Sequence, residues 1–162
     1  MEDMWHCTPT ELEQVMERYG TTVYRLAFAQ LHSSADAEDI YQEVFLRYFQ
    51  KRPKFESEEH RKAWLLKVTL NVCRSCLTSA WWRRTVPLEQ DVVLPEPQLQ
   101  EMSQALTQLR LRDRQLLHLY YYEEMSTCEI ARLLRRKEGT VRTQLNRARN
   151  RLGRILKGED FE

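Results

Sequence analysis

Residues that interrupt helices are few in this sequence, and most of the prolines lie close together. The 162 residues include only four glycines, and three of the five prolines are Pro87, Pro95 and Pro97. Elsewhere apolar residues recur at spacings of three and four, which is the pattern of helices that bury one face. No segment alternates in the manner of a β-strand. The sequence therefore predicts an all-α protein with two small helical domains joined by a proline-rich linker.

The N-terminal domain, residues 8–84, is expected to contain four helices. The first starts at the capping box Thr10-Glu-Leu-Glu13, in which side chains bond to free backbone N–H groups. Gly20 is expected to interrupt it, because glycine is a poor helix former. The later boundaries follow from caps and prolines. The other three helices run from Val23 to Leu31, from near Asp36 to just before Pro53, and from Ser57 to about Trp82.

The linker spans 85–98, because its three prolines lack backbone donors and oppose a helix. The C-terminal domain follows at 99–157. A second capping box, Ser126-Thr-Cys-Glu129, marks the start of one of its helices. Its predicted helices lie near 98–109, 111–122, 126–134 and 139–157.

Charge is divided along the chain, although the formal net charge is only +1. Residues 1–45 carry nine acidic residues against Arg18 and Arg25, a net charge of about −7. From Arg132 to Lys157 ten basic residues oppose Glu138 alone, a net charge of about +9. The C-terminal region is therefore a candidate for binding a polyanion, and a solvated basic face is the alternative.

Composition and motifs argue against a membrane protein and against an enzyme. No apolar run is long enough to cross a bilayer, and Met1-Glu-Asp-Met4 lacks a basic, apolar signal, so we expect a cytoplasmic protein. Cys7, Cys73, Cys76 and Cys128 are expected to be reduced, and Cys73-x-x-Cys76 alone is half a metal site. With no phosphate loop or nucleophile–base pair either, we expect no catalysis, metal or cofactor.

The last two predicted helices form a helix-turn-helix motif around the short turn Arg135-Arg-Lys137. In the final helix Val141, Leu145, Ala148, Leu152 and Ile155 recur on one face and should meet the core. That leaves Arg142, Thr143, Asn146 and Arg147 pointing outward. Arg, Asn and Thr side chains can read base edges, so we predict that this face enters the major groove of DNA.

Together these features resemble the extracytoplasmic-function group of bacterial RNA polymerase sigma factors, over nearly the whole chain. The segment Ala37 to Arg47 is similar to the part of that family that binds the β′ clamp helices of core RNA polymerase. The resemblance assigns this contact to Asp39, Gln42 and Glu43. An ordinary amphipathic helix is the alternative that periodicity alone favours.

The segment from Phe55 to Arg74 resembles the part of the family that meets the melted downstream promoter element. The resemblance, with the chemistry of phosphate and base contacts, assigns strand binding to Lys62, Lys67, Asn71 and Arg74. Trp64 is expected in the core. Trp81-Trp82-Arg83-Arg84 suits either DNA contact or coverage of the domain's edge.

Residues 105–121, Met125 to Leu134 and Gly139 to Thr143 resemble the family's C-terminal domain, which binds upstream promoter DNA. Where relatives often have glycine, an apolar residue and serine, this chain has Arg135, Arg136 and Lys137, and the missing serine cap should cost about 1 kcal/mol. The resemblance also implies an anti-sigma inhibitor as a partner. A stand-alone helix-turn-helix regulator is the alternative function.

Overall fold

The computed structural model describes residues 9–78 and 97–158, and these ranges contain seven α-helices and no strand. The chain divides into two compact units, Met1–Glu89 and Gln90–Glu162. The all-α prediction is confirmed. The predicted linker, apart from its last two residues, lies outside the described residues, as do Cys7 and the segment 81–84.

Three described helices form the first unit, in place of the four predicted. They are α1, Pro9–Leu31, α2, Ser34–Lys51, and α3, Glu58–Thr78. All three helices contribute to one buried core, which includes Val23 of α1, Val44 of α2 and Leu65 of α3. Trp64, expected in the core, is half-buried and packs against it, with its ring centroid 5.7 Å from that of Tyr48.

The predicted break at Gly20 is wrong, because α1 continues through this residue. Gly20 is buried against α2, and a Cβ atom there would lie 3.0 Å from the hydroxyl oxygen of Tyr41. Buried apolar residues on both sides, Tyr19 and Val23 among them, hold the helix to the core. This packing outweighs the roughly 1 kcal/mol that glycine costs in a helix.

Side-chain caps mark the starts of α2 and α3, where Ser33 and Ser57 accept backbone N–H bonds, although not the start of the first helix. Helix α1 begins at Pro9, so Thr10 lies inside the helix and not at the predicted N-cap. Proline is favoured at a first helical position because it needs no N–H partner there. Ser33 caps α2 by accepting a 3.2 Å bond from the Asp36 N–H, and Arg52 ends it immediately before Pro53, as predicted.

In the second unit four helices surround a separate core. They are α4, Pro97–Thr107, α5, Leu111–Leu117, α6, Thr127–Leu134, and α7, Glu138–Leu156, and a π-helical turn, His118–Tyr122, extends α5. Val141, Leu145 and Ala148 are buried as predicted, whereas Leu152 and Ile155 are only half-buried. Arg151 donates a 2.8 Å bond to the buried carboxylate of Asp113, which ties α7 to α5.

None of the helices in the described ranges has the length and mean hydropathy that a membrane span requires.

Two glycines in helix interiors should respond oppositely to substitution. Gly20→Leu should lower the free energy of unfolding of the first unit by about 1–3 kcal/mol, because the side chain would overlap Tyr41. Gly153→Ala should raise that of the second unit by about 0.5–1 kcal/mol, because a Cβ there meets nothing within 4 Å. Tryptophan fluorescence isolates the first measurement, since every tryptophan precedes Gln90. Far-UV circular dichroism serves for the second. A Gly20→Leu protein as stable as the wild type would contradict the packing argument.

Candidate functional site

The turn between α6 and α7 gives the second unit its helix-turn-helix geometry. Helix α6 opens with the predicted capping box, in which Ser126 Oγ accepts from the Glu129 N–H at 3.1 Å and Glu129 bonds back. It ends at Arg135, which takes a left-handed conformation with φ 53°. Helix α7 then starts after Lys137, whose side chain makes no cap bond. The turn is therefore formed without the glycine and serine that the motif usually has.

Four polar side chains, Arg142, Thr143, Asn146 and Arg147, form an exposed surface on α7, here called the reading face. All four lie in the first ten residues of the helix, which spans Glu138–Leu156. In helix-turn-helix proteins this end of the second helix contacts base edges. The predicted outward orientation of the reading face is observed, and its chemistry matches the major groove.

Arg142 is held by an ion pair with Glu138. Its Nη2 lies 2.9 Å from Glu138 Oε1, and the Thr127 hydroxyl donates to the same oxygen at 3.0 Å. The hydrogen bond from Arg142 lowers the pKa of Glu138, and the same bond raises the pKa of Arg142. Both groups are charged at neutral pH. Because the pair is exposed, it contributes little to stability, and Arg142 can exchange the carboxylate for another partner at small cost.

The rest of the reading face is partly engaged with its own helix. The Thr143 hydroxyl donates to the Gly139 carbonyl oxygen at 3.0 Å, and Asn146 Oδ1 accepts from Arg149 at 3.1 Å. The Arg149 guanidinium also lies over the Tyr120 and Tyr121 rings, 5.2 and 5.5 Å from their centroids. Arg149 is therefore fixed in place, and it orients the Asn146 amide with its N–H₂ group left to donate.

A second candidate surface, here called the docking face, consists of Asp39, Gln42 and Glu43 on α2. Asp39 and Gln42 are exposed, and Glu43 accepts a 2.8 Å bond from Arg47 Nε. Ile40, Val44 and Tyr48 of the same helix are buried in the core. The docking face thus presents acidic and amide groups on the surface of α2.

Helix α3 brings together three of its four predicted strand-binding residues. Lys67, Asn71 and Arg74 follow one another at helical spacing, and Arg74 donates to Asn71 Oδ1 at 3.3 Å. Lys62 precedes Lys67 by five positions, which places it roughly 140° away around the helix. The first three can meet one strand, whereas Lys62 lies toward another side of α3.

Comparison with known proteins connects both units to one family. The Sigma-70 region 2 model matches residues 15–83, and the Sigma-70, region 4 model matches residues 99–152. The chain is 28% identical to the ECF RNA polymerase sigma factor SigM of Mycobacterium tuberculosis, over 89% of this chain and 76% of that protein. It is also 28% identical to SigW of Bacillus subtilis, over 88% and 87% of the two proteins. The chain belongs to the extracytoplasmic-function sigma factors.

Solved sigma factors share its fold. The sigma factor RpoE of Bartonella quintana, in complex with the anti-sigma factor NepR, aligns with a TM-score of 0.75 at 24% identity, covering 92% of this chain and 98% of that one. CnrH, in complex with the cytosolic domain of CnrY, aligns at 0.71 and 21% identity over 94% and 92%. A stand-alone regulator would match only the helix-turn-helix region, so this sigma factor directs transcription initiation. Sigma factors are generally non-enzymatic regulators.

Some features of the surfaces on this sigma factor were missed from the sequence. The ion pair between Glu138 and Arg142 was readable, because acid and base stand four positions apart. The sequence patterns also did not indicate that Leu46, a large apolar residue beside the docking face, is 49% exposed. The stacking of Arg149 on two tyrosines gave no local signal, because it depends on how α7 meets the π-helical turn.

The described cysteines of the sigma factor, Cys73, Cys76 and Cys128, differ in burial. Burial raises the pKa of the Cys73 thiol to about 12, and burial followed by the charges of Asp36 and Asp39 raises the pKa of Cys76. Residues 9–78 and 97–158 contain no cluster of three potential metal ligands. Reduced, metal-free cysteines stay a prediction, which stoichiometric zinc that disappears on mutating Cys73 and Cys76 would overturn.

Alkylation kinetics test the environment of the thiols. Iodoacetamide should label Cys128 first, Cys76 more slowly and Cys73 slowest in the native protein at pH 8. The thiolate is the reactive form, so a pKa near 12 keeps Cys73 protonated, and its labelling should stay slow from pH 7 to pH 9. Peptide mass spectrometry over time gives the rates. In denaturant the three rates should become similar, and native labelling of Cys73 as fast as Cys128 would contradict the assignment.

Proposed function

We propose that the two units divide promoter recognition between them. Residues 8–84 bind core RNA polymerase and melt the downstream promoter element, 85–98 are the linker, and 99–157 bind the upstream element. The single observation that carries the proposal is the reading face on the first half of α7, directly opposite buried core residues. Promoter-directed transcription by purified core polymerase, with and without this chain, tests the whole assignment.

Polymerase binding is assigned to the docking face. Asp39 is exposed and Glu43 half-exposed on a helix that is fixed in the core by its buried residues, so these acids can meet a rigid basic surface such as the β′ clamp helices. Leu46, half-exposed on the same helix, supplies apolar area beside the charges. Central apolar contacts and surrounding charges are the usual composition of a specific interface.

Contact with the displaced downstream strand is assigned to Lys62, Lys67, Asn71 and Arg74 on α3. Cations hold phosphates, and the Asn71 amide can bond to an unpaired base. The shared face of Lys67, Asn71 and Arg74 supports contact with consecutive nucleotides of one strand. Lys62 then serves a different part of the strand.

The proposal includes the setting in which this sigma factor works. It has no catalytic role of its own, because bond formation belongs to the polymerase, and it acts in the cytoplasm, where the polymerase lies. No cofactor or metal is needed for these contacts. An anti-sigma partner belongs to the proposal as well, motivated by the complex of RpoE with NepR.

Charge reversal on the docking face tests polymerase binding. Asp39→Lys combined with Glu43→Lys should weaken the affinity for core polymerase about tenfold or more, because like charges would then face each other. Surface-immobilised core polymerase gives the dissociation constants.

Glu13→Lys combined with Glu17→Lys is the matched control, because both residues are exposed on α1 and the net charge changes equally. This control should bind as the wild type does. If the docking-face protein kept both its fold and its polymerase affinity, the docking assignment would be wrong.

Two arginines of α7 separate base readout from general attraction. Arg142→Ala should weaken binding to the preferred upstream element about tenfold to a hundredfold, and binding to scrambled DNA much less, because alanine cannot bond to a base edge. Arg154→Ala should weaken both duplexes about equally, since Arg154 lies near the far end of the helix. Fluorescence anisotropy on both duplexes measures the difference.

Salt dependence provides a second measurement on the same proteins. Removing a cation that neutralises a phosphate makes the logarithmic salt slope shallower by about one unit, which we expect of Arg154→Ala only if Arg154 touches the backbone. Equal reductions in affinity on both duplexes for Arg142→Ala would refute its role in reading bases.

A further inference from the structure

A cleft of about 440 Å³ opens in the second unit between the start of α5 and the middle of α7. Its polar lining is dominated by guanidinium groups, and we call it the arginine cleft. Only one of its residues, Arg147, also belongs to the reading face. The polar residues that line it are Arg110, Arg112, Asp113, Gln144, Arg147 and Arg151.

The positive charge of the arginine cleft is largely unneutralised. Asp113 is its one carboxylate, and this side chain is buried and already bonded to Arg151 at 2.8 Å. Within the ranges that the structure describes, Arg110, Arg112 and Arg147 form no ion pair or side-chain hydrogen bond. Each of these three is exposed. Three guanidinium groups therefore line one concavity with their donors turned to solvent.

A fifth arginine increases the crowding of positive charge. Arg136, from the turn before α7, donates a 2.9 Å bond to Gln144 Oε1, and Gln144 lines the cleft. Burial, followed by the nearby charge of Arg112, lowers the pKa of Arg136. Like charges this close repel one another, and a bound anion would relieve that repulsion. Arginine suits phosphate oxygens in particular, because its planar fork donates two parallel hydrogen bonds.

We infer that the arginine cleft is a binding site for a phosphate group. The phosphate can come from the DNA backbone or from a free phosphate compound. The geometry favours the backbone, because Arg147 belongs to both the cleft and the reading face, so a phosphodiester beside the contacted bases would reach Arg110 and Arg112. That choice of source rests on the proposed binding of upstream DNA, whereas the phosphate site itself does not.

The first experiment uses inorganic pyrophosphate and the full chain, without DNA. Titration calorimetry should detect binding to the wild type and at least a tenfold weaker affinity in Arg110→Ala combined with Arg112→Ala. Lys51→Ala combined with Lys54→Ala is the matched control, because it removes two exposed cations of the first unit. The control should bind pyrophosphate like the wild type. Thermal melts establish that every variant remains folded.

The second experiment uses the upstream-element duplex over a range of salt concentrations. If the cleft holds the backbone, the Arg110→Ala, Arg112→Ala protein should show a logarithmic salt slope shallower by about 0.9 for each phosphate that it no longer neutralises. Its preference for the upstream element over scrambled DNA should stay unchanged, because phosphate contacts carry no direct sequence information. The lysine control should keep the wild-type slope.

The outcomes of the two experiments separate the sources. A shallower slope supports the backbone, with or without pyrophosphate binding. An unchanged slope with loss of pyrophosphate binding supports the site and assigns it to a free phosphate compound. If the arginine substitutions changed neither measurement, or changed them no more than the lysine control, the inference would be overturned. Failure of the proposed base reading would appear in a different measurement, as equal reductions in affinity on both duplexes for Arg142→Ala.

Discussion

Burial of Val141, Leu145 and Ala148 fixes the orientation of α7, and most of the second unit's surface chemistry depends on it. With that face in the core, the reading face has one direction in which to point. The partly buried bond between Arg151 and Asp113 adds a polar constraint, because it ties the same helix to the start of α5. A substitution that rotated α7 would therefore displace the reading face and the arginine cleft together. The groups proposed to read bases and to bind phosphate are thus positioned by packing, and their own surface bonds only adjust them.

Electrostatic contacts on the functional surfaces are weak and exchangeable. The pairs of Glu43 with Arg47 and of Glu138 with Arg142 both join residues four positions apart on exposed helix faces. Such pairs contribute little to stability in water. Each pair holds two side chains against one helix face, and a partner of higher charge density could compete for them. The affinity of the docking face for core polymerase and that of the reading face for DNA should therefore fall as the salt concentration rises. The stability of the fold should change little.

Sequence patterns predicted the features that depend on local periodicity and helix caps. They failed for the features that depend on contacts between residues distant in the chain. The capping box at Ser126 and the buried stripe of α7 follow from neighbouring residues alone, and both are observed. Gly20 was misread as a helix break, because its reason lies across the core in Tyr41. The arginine cleft was likewise missed, since Arg112 and Arg147 are far apart in the chain and meet only when α5 packs on α7. The roles assigned to the docking face and to α3 stay predictions that the fold does not test.

The basic turn before α7 shows how this chain exchanges local stability for charge. A left-handed Arg135 costs roughly 1–2 kcal/mol relative to a helical conformation, and the absent side-chain cap at Lys137 costs about 1 kcal/mol more. Part of this is offset, because Glu138 places a negative charge at the positive end of α7 and Arg136 bonds across the turn to Gln144. The turn keeps its conformation despite the remaining destabilisation, because the helices on both sides of it are held by buried apolar faces. Arg135, Arg136 and Lys137 add positive charge to the turn that precedes the reading face and the arginine cleft. In the proposed complex with upstream DNA, this charge would favour contact with the backbone at the end of α7 to which base reading is assigned.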